Sequence, residues 1–216
     1  MPGCCDPSGY EDVFSDDFAR GLVRRYRRRG LDRTAQRMVD FLDSQGVTGA
    51  SVLEIGGGVG DIQLELLRRG ASRATNLELV DVYDVPAAEL ASEAGLTGRV
   101  ERRILDIAAE PDAVEPADVV VLHRVVCCYP DHERLLRAAA DHARRLLVFS
   151  HPPRNLFIRA ILGAENAKYR LTGKTFRTYA HAPEAMLGVL TDAGLRPAYQ
   201  HRGPVWQVAG LERPAS

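Results

Sequence analysis

The sequence predicts an α/β fold in which helices cover both faces of a doubly wound, mostly parallel sheet of seven strands. Three observations support this prediction. Short apolar segments alternate with helical patterns from Ser51 onward, a glycine cluster follows the first segment, and the last two segments flank Gly203-Pro204. Strands that alternate with helices are typical of a parallel sheet buried on both sides. The 216 residues fit one such domain with an N-terminal extension.

Composition and termini favour an ordinary globular protein. Apolar residues make up 45% and charged residues 26% of the chain, which rules out wholesale disorder. No apolar run approaches the ~18–20 residues of a membrane span, and the N-terminus lacks a signal-peptide pattern. We therefore expect a soluble, cytoplasmic protein.

Residues 1–50 are predicted to form a helical extension made of two helices. Asp16 can cap the first helix and Gly30 can end it. Asp32 or Thr34 opens the second, and Gly46 lies past its end. The apolar faces of the two helices are formed by Phe18, Leu22, Val23 and Tyr26, and by Met38, Phe41 and Leu42.

Residues 51–216 are predicted to form the α/β domain. Five parallel strands are expected at 51–55, 74–79, 99–105, 117–122 and 146–149, with helices after the first strand, at about 85–94 and at about 131–143. Pro183 suits the first turn of a last helix that ends before Gly194. Segments 195–200 and 205–211 then give a C-terminal antiparallel hairpin.

The most informative segment is the glycine-rich turn at the carboxyl end of the first strand. It reads E-x-G-x-G-x-G through Glu54, Gly56, Gly58 and Gly60, with Gly57 between the first two glycines. Glycines there admit positive φ and let a ligand approach the bare backbone. No lysine follows Gly60, so a P-loop is excluded, and Asp61 occupies the place where a dinucleotide fingerprint needs its third glycine.

On these residues the chain resembles the class I S-adenosylmethionine-dependent methyltransferases, which are Rossmann-like, over about Ser51 to Arg213. The resemblance implies S-adenosylmethionine as cofactor. Glu78 lies 22 residues after Gly56, where the family places an acid on the ribose hydroxyls. Asp106 and Ile107 match the adenine contacts. Further implied cofactor contacts are Glu54, Gly56, Gly57, Gly58, Gly60, Leu79, His123 and Arg124.

Two of these residues keep a structural alternative. Glu54 could be a carboxylate that orients the glycine loop, as readily as a cofactor contact. Asp106 could be a helix cap, since aspartate is a favoured capping residue.

The same resemblance implies in-line methyl transfer, in which alignment supplies most of the catalysis. A general base is needed only where the acceptor must lose a proton. His151, after the fifth strand, is the preferred candidate base, and His181 is a weaker one. Tyr129 resembles the aromatic residue that flanks the reacting methyl group, although core packing is an equal alternative. The expected acceptor is a small molecule methylated at oxygen.

An insert at about 154–180 is expected to cover the acceptor site. It carries Leu156, Phe157, Ile158, Ile161 and Leu162 together with Arg159, Lys168, Arg170, Lys174 and Arg177. This composition suits an amphipathic or anionic acceptor, or a helix lying on a membrane surface, as well as ordinary packing against the domain. The C-terminal third is faintly similar to Mg-protoporphyrin O-methyltransferases.

The N-terminal helices are expected to lie over the mouth of the cofactor site. Tyr26, with neighbouring Arg24, Arg25, Arg27, Arg28 and Arg29, could meet the carboxylate of the cofactor or of the acceptor. Eight arginines against one acid between residues 20 and 37 leave a nucleic-acid methyltransferase as an alternative, although no nucleic acid is expected. A non-catalytic S-adenosylmethionine-binding module is the other alternative.

The four cysteines form the pairs Cys4-Cys5 and Cys127-Cys128. Neither pair has the C-x-x-C spacing of zinc sites, so we expect reduced thiols and no bound metal. The sequence leaves the oligomeric state open.

Overall fold

A computed structural model describes residues 9–214 of the chain. The Cys4-Cys5 pair lies outside the described residues. The helices are α1 (Asp16–Arg29), α2 (Arg33–Ser44), α3 (Asp61–Arg68), α4 (Asp84–Glu93), α5 (His132–Asp141), α6 (Leu156–Leu171) and α7 (Pro183–Asp192). The strands are β1 (Ser51–Ile55), β2 (Arg73–Glu78), β3 (Val100–Ile104), β4 (Ala117–Leu122), β5 (Ala143–His151), β6 (Arg196–Arg202) and β7 (Gln207–Glu212).

The seven strands form one sheet in the order β3-β2-β1-β4-β5-β7-β6. Strands β1 to β5 run parallel, and β7 pairs antiparallel with both β5 and β6. The predicted mostly parallel sheet and C-terminal hairpin are therefore confirmed. The strand order reverses between β1 and β4, and such a reversal opens a crevice at the carboxyl ends of the strands where ligands bind.

Capping residues set the N-terminal helices. The Ser15 hydroxyl accepts a hydrogen bond from the Phe18 amide, so Ser15 caps α1 instead of the expected Asp16, which is the first residue of the helix. Gly30 ends α1 at φ 65°, as predicted. The Asp32 carboxylate accepts hydrogen bonds from the amides of Thr34 and Ala35 and so caps α2.

Two apolar clusters lie on the two faces of the sheet. The first joins α1, α2 and α3 to β1, β4 and β5, and the second contains α5 and α7. In α2 the side chains of Met38, Phe41 and Leu42 are buried, which matches the expected apolar face. The N-terminal helices thus pack into the same core as the sheet, although the division at residue 50 remains a prediction.

Strand β5 is longer than the 146–149 segment expected from its apolar residues. It pairs with β4 from Ala143, and with β7 as far as His151 opposite Gln207. Backbone pairing with β7 carries the strand through the polar Ser150, which hydrophobic patterning cannot detect. His151 is consequently the last residue of the strand and not part of the loop that follows.

Candidate functional site

A cavity of about 200 Å³ lies at the carboxyl ends of β1, β2 and β4. It is bounded by the glycine loop, by the ends of β2 and β4 and by the N-terminal segment. Predicted residues that line it are Glu54, Gly56, Gly57, Gly58, Glu78, Leu79, Asp106, Ile107, His123, Arg124, Tyr129 and Tyr26. These predicted residues therefore line one cavity, whereas the predicted Gly60 is not among its lining residues.

The glycine loop adopts a conformation that side chains would disrupt. Gly56, Gly58 and Gly60 have φ values of 64°, 55° and 78°. Gly57 has no positive φ, but a Cβ there would lie 2.4 Å from Asn76 Nδ2 and 2.7 Å from Glu54. The loop needs glycine for two separate reasons, left-handed backbone and close packing.

Glu54 packs against this glycine loop. Its side chain is buried and accepts a hydrogen bond from the Gln63 amide in the first turn of α3, at 3.3 Å. Burial raises the pKa of Glu54 well above its ordinary value. The structural role considered for Glu54 is thus present, and the residue also reaches the cavity wall.

Glu78 ends β2 and faces the glycine loop. Its carboxylate accepts hydrogen bonds from the amides of Gly58 and Leu79. Burial raises the pKa of Glu78 to about 7, although the Gly58 amide and the charge of Arg102 oppose the rise. A carboxylate held in this way at a cavity wall is suited to accept hydrogen bonds from sugar hydroxyls.

Asp106 follows β3 and joins two features of the site. One carboxylate oxygen accepts from the Ala108 amide at 3.0 Å, and the other accepts from the Tyr129 hydroxyl at 2.8 Å. The first contact is a local turn of the capping kind, so both roles considered for Asp106 are compatible with its position. Tyr129 is buried at the cavity wall, and its hydroxyl orients this acid.

Charges of both signs meet at the opposite end of the cavity. Asp32 Oδ2 accepts from an Arg124 guanidinium nitrogen at 2.7 Å and lies 3.5 Å from Arg25 and 3.6 Å from His123. Burial alone would raise the pKa of Asp32, but the nearby His123 ring, the hydrogen bond from the Ala35 amide and the charge of Arg124 hold the pKa below its ordinary value. Asp32 is therefore ionised at neutral pH.

Arg124 has an unusual backbone. At φ 60° it is the one non-glycine residue with positive φ among residues 9–214. Its amide donates to Ser150 Oγ at 2.9 Å, and its guanidinium lies 4.9 Å from the centre of the Trp206 ring. Strained residues of this kind occur where the surroundings fix them, often at binding sites.

Asp61, the first residue of α3, adds a second acid to this end of the cavity. Burial raises the pKa of Asp61, and its carboxylate accepts a hydrogen bond from the Ile62 amide at 3.1 Å. A partly buried carboxylate at a cavity wall favours a cationic ligand group nearby.

Tyr26 reaches the cavity with its ring, while its hydroxyl is engaged elsewhere. The hydroxyl donates to Glu65 at 2.7 Å and accepts from Arg68 at 2.7 Å, both on α3. Of the neighbouring arginines, Arg25 lines the cavity, whereas Arg27 pairs with Glu93 on α4. Of the arginines that were expected to meet a carboxylate of the cofactor or acceptor, Arg25 is therefore the one that lines the cavity.

Neither His151 nor His181 is among the residues that line the cavity. His151 is buried at the end of β5, where it stacks on Phe149 and bonds Pro152 O at 3.0 Å. His181 stacks against His132 and bonds Tyr129 O at 3.1 Å. Burial lowers the pKa of both histidines.

An aromatic wall closes the cavity on the side of the N-terminal segment. This wall consists of Tyr10, Phe14 and Phe18. Phe14 lies 6.3 Å from Tyr83 and 5.5 Å from Phe176, between ring centres. The Tyr10 hydroxyl donates to Cys128 O at 2.7 Å. The N-terminal segment is thereby attached to both the β4 end and the insert.

Sequence reasoning missed several residues of the site. Asp32 was identified only as a helix cap, because its ion pair with Arg124 spans 92 positions. Asp61 adjoins the glycine loop and could have been found from that position. Tyr10 and Phe14 lie outside any regular strand–helix pattern, and no local signal identifies them.

Two further features concern metal sites and membrane-spanning helices. Within residues 9–214, no group of three or more His, Cys, Asp or Glu side chains is arranged to hold a metal ion. The same part of the chain contains no helix long and apolar enough to cross a membrane.

Comparison with known proteins gives one family. A family model described as "Methyltransferase domain" matches residues 23–204. No curated protein sequence matches the chain.

Many solved structures share the fold. Magnesium protoporphyrin IX methyltransferase from Synechocystis, solved with bound SAH, matches with a TM-score of 0.72 at 20% identity, covering 94% of this chain and 100% of that one. An O-methyltransferase family 2 protein from Planctomyces limnophilus, in complex with apigenin, gives a TM-score of 0.67 at 22% identity. That match covers 94% of this chain and 63% of the other. The Rossmann-like fold expected from the sequence is confirmed.

Proposed function

Because this chain belongs to the family of methyltransferase domains, an enzyme family that uses S-adenosylmethionine, we propose that it methylates an oxygen atom of a small-molecule acceptor. The observation that carries the proposal is the convergence of the glycine loop, Glu78 and Asp106 on one cavity at the reversal of the sheet. Neighbours in fold that methylate oxygen add support for the choice of atom.

The residues present fit the nucleoside part of the cofactor. A Cβ at Gly58 would lie 3.9 Å from the Tyr83 ring, so any side chain there would fill cavity space. The loop backbone from Gly56 to Gly60 would hold the cofactor closely, Glu78 would accept from its ribose hydroxyls, and Asp106 and Ile107 would contact its adenine. Tyr129 would act on Asp106 as a positioning residue.

The charged end of the cavity fits the amino-acid part. An ammonium group needs carboxylates, which Asp32 and Asp61 supply. A carboxylate group needs cations, which Arg25 and Arg124 supply. Because both signs lie within one cavity whose other end carries Glu78, the site is suited to a zwitterion attached to a nucleoside.

Alignment is the main catalytic contribution of this chain. When bound, S-adenosylmethionine supplies a methyl group on a sulfonium, which a nucleophile displaces in line. The aromatic wall excludes water from the cavity, and the two charged ends fix the orientation of what binds there.

The proposed proton-holding residue is His123 instead of the predicted His151. His123 lines the cavity and bonds Ser150 Oγ at 3.0 Å, with Asp32 beside its other ring nitrogen. A phenolic acceptor would use such a base, and a carboxylic acid would need none. His151, which is not among the residues that line the cavity, would serve to fix the end of β5.

The acceptor class follows from the aromatic wall. Tyr10, Phe14 and Phe18 form an apolar boundary beside the polar cofactor contacts. A small acceptor with an apolar or aromatic body would bury its surface against these rings. We expect phenols and aromatic carboxylic acids to be better substrates than simple amines.

Calorimetric titration with S-adenosylmethionine is the direct test, with NAD as the control ligand. We expect saturable binding of S-adenosylmethionine only. Tighter binding of NAD, or no binding of either, would overturn the proposal. Radiolabelled methyl uptake by a panel of phenols, carboxylic acids and amines then tests the acceptor, and cofactor binding with no uptake by any of them would favour the non-catalytic module.

The nucleic-acid alternative loses support in the structure. Several arginines of α1 are engaged within the chain: Arg20 pairs with Asp17, Arg25 with Asp32 and Arg27 with Glu93. Fewer arginine side chains are therefore free to contact nucleic-acid phosphates than the composition of residues 20–37 indicates. A gel shift with RNA or DNA at low and high salt tests this alternative, and a strong salt-dependent shift would restore it.

A further inference from the structure

We propose that the outer face of α6 docks the protein onto an anionic lipid surface. This face carries three large apolar side chains that are exposed to solvent. Leu156 is 82% exposed, Phe157 71% and Ile161 46%. The inference goes beyond methyl transfer and does not depend on it.

The apolar side chains share one face because of helix geometry. At about 100° per residue, positions 156, 157 and 161 fall within one broad sector, together with Ala160, Ala164 and Leu171. Leu171 is 89% exposed. Ile158, which is 5% exposed, lies on the opposite side of the helix and faces the protein. The usual arrangement of a surface helix, apolar inward and polar outward, is therefore not followed, since both sides are apolar.

Basic residues border the apolar face. Arg159 and Arg170 lie along one edge, Lys168 lies within the face between Phe157 and Ile161, and all three are exposed. None of them takes part in a salt bridge in the part of the chain that is described. The acid within the helix, Glu165, is engaged by Tyr169 at 3.0 Å and by Thr178 at 3.4 Å.

This combination selects the partner. Long basic side chains beside an exposed apolar stripe place their charges at the level of lipid headgroups while the apolar side chains enter the boundary region. The helix has 16 residues and several charges, so it would lie along the surface rather than cross the membrane. Net positive charge requires that the surface be anionic.

Vesicle co-sedimentation tests the proposal with the full chain. The vesicles are phosphatidylcholine alone, and phosphatidylcholine mixed with phosphatidylglycerol. We expect binding to the anionic vesicles, at least about tenfold weaker binding to the neutral ones, and a loss of affinity as salt is raised.

Phe157→Asp is the informative variant, with Val85→Asp as its matched control. Both residues occupy the second position of a helix and are similarly exposed, at 71% and 70%. Aspartate is tolerated in the first turn of a helix, so neither change should unfold the protein. Phe157→Asp should lower vesicle affinity about tenfold or more, whereas Val85→Asp should leave it unchanged.

The charge contribution has its own pair of variants. Arg159→Gln with Arg170→Gln should weaken binding to anionic vesicles about tenfold or more. Arg134→Gln with Arg137→Gln, on exposed positions of α5, removes the same charge elsewhere and should have little effect.

Three outcomes would overturn the proposal. They are no binding to either vesicle, equal affinity for both vesicles, and equal loss in the Phe157 and Val85 variants. A dimer in light scattering that Phe157→Asp converts to a monomer, without vesicle binding by either form, would instead identify the face as a subunit interface. Each readout is measured without cofactor, so failure of this proposal leaves the proposed methyl transfer unaffected.

Discussion

The Glu78 carboxyl couples proton binding to both folding and ligand binding. Its pKa is about 7 in the folded protein against an ordinary value of 4.5. Between these pH values the folded chain keeps a proton that the unfolded chain releases. The contribution of Glu78 to stability therefore decreases as the pH rises from about 4.5 to 7.

We expect cofactor affinity to show the opposite trend. Sugar hydroxyls that donate to Glu78 favour its ionised form, so S-adenosylmethionine should bind more tightly as the pH rises through about 7. Glu78→Gln should weaken binding at pH above 7 by about tenfold or more and should flatten the pH dependence. Calorimetry across this pH range measures both effects.

The exposed Glu101→Gln serves as the control for Glu78→Gln. Equal affinities of the Glu78 variant and the wild type at high pH would show that Glu78 only supports the loop through the Gly58 amide.

Asp32 combines a capping role with a charged role, and two substitutions separate them. Asparagine caps helices about as well as aspartate, so Asp32→Asn should retain the cap while losing the ion pair with Arg124. Asp32→Ala should lose both and be less stable than the asparagine variant by about 1 kcal/mol. Urea unfolding measures the stability difference, and both variants should bind S-adenosylmethionine more weakly.

Acid titration adds a second test of Asp32. Because its folded pKa is lowered, its stabilisation is present above the ordinary carboxyl pKa of about 4 and is lost as the pH falls further. Asp32→Asn should therefore lose less stability than the wild type over that acidic range. Parallel acid profiles for the two proteins would contradict the ionised state assigned to Asp32.

At the residue scale, the family resemblance identified residues that line the cavity where their position depends on local spacing. Glu78, 22 residues after Gly56, and Asp106, after β3, both lie there, and their roles stay predictions. Sequence reasoning was incomplete where a role depends on distant partners, as for Asp32 and Arg25. The placement of His151 at a loop depended on the predicted end of β5, which pairing with β7 extends.

Among the elements, the turn between β1 and α3 tolerates the least change. Gly57→Ala would bring a Cβ against Asn76 and Glu54, both of which are buried and cannot move freely. We expect a loss of about 1–3 kcal/mol of stability, together with loss of cofactor binding. Thermal unfolding and calorimetry measure the two effects.

Gly188→Ala is the matched control for Gly57→Ala. A Cβ at Gly188 meets nothing within 4 Å, and the residue lies inside α7. Alanine there should raise stability by about 0.5–1 kcal/mol and leave binding unchanged. A neutral Gly57→Ala beside a stabilised Gly188→Ala would show that the loop can rearrange.

At this scale, the bounds of most elements could be predicted from the sequence. Strand β1 matches its expected range, and α7 begins at Pro183 as expected. Differences occur at ends that long-range pairing or polar caps determine, such as β5 and Ser15. The sequence left open whether the apolar residues of α6 face outward or pack against the domain, because a sequence pattern shows which residues share a face but not which side of the helix meets the protein.

For the whole molecule, we expect the aromatic wall to determine how readily the cavity opens. Phe14 packs between Tyr83 on one side and Phe176 on the other. Phe14→Ala should raise the dissociation rate of S-adenosylmethionine at least about tenfold, because the substitution removes a large apolar contact that holds the wall closed. Stopped-flow displacement measures this rate.

Val85→Ala, at an exposed position of α4, is the control and should leave the dissociation rate unchanged. Equal rates for wild type and Phe14→Ala would place the wall outside the path by which the ligand leaves.

Phe176 lies in contact with Tyr169 of α6 and with Tyr10 of the wall, at 5.5 Å and 5.4 Å between ring centres. Lys174, two residues earlier, also donates to the carbonyl of Asp12. Whatever steadies the insert therefore steadies the N-terminal segment as well. We expect lipid attachment to strengthen nucleoside retention through these contacts. Thermodynamic reciprocity then makes nucleoside binding strengthen lipid attachment by the same factor, so that the protein would hold its methyl donor longest where it meets a bilayer.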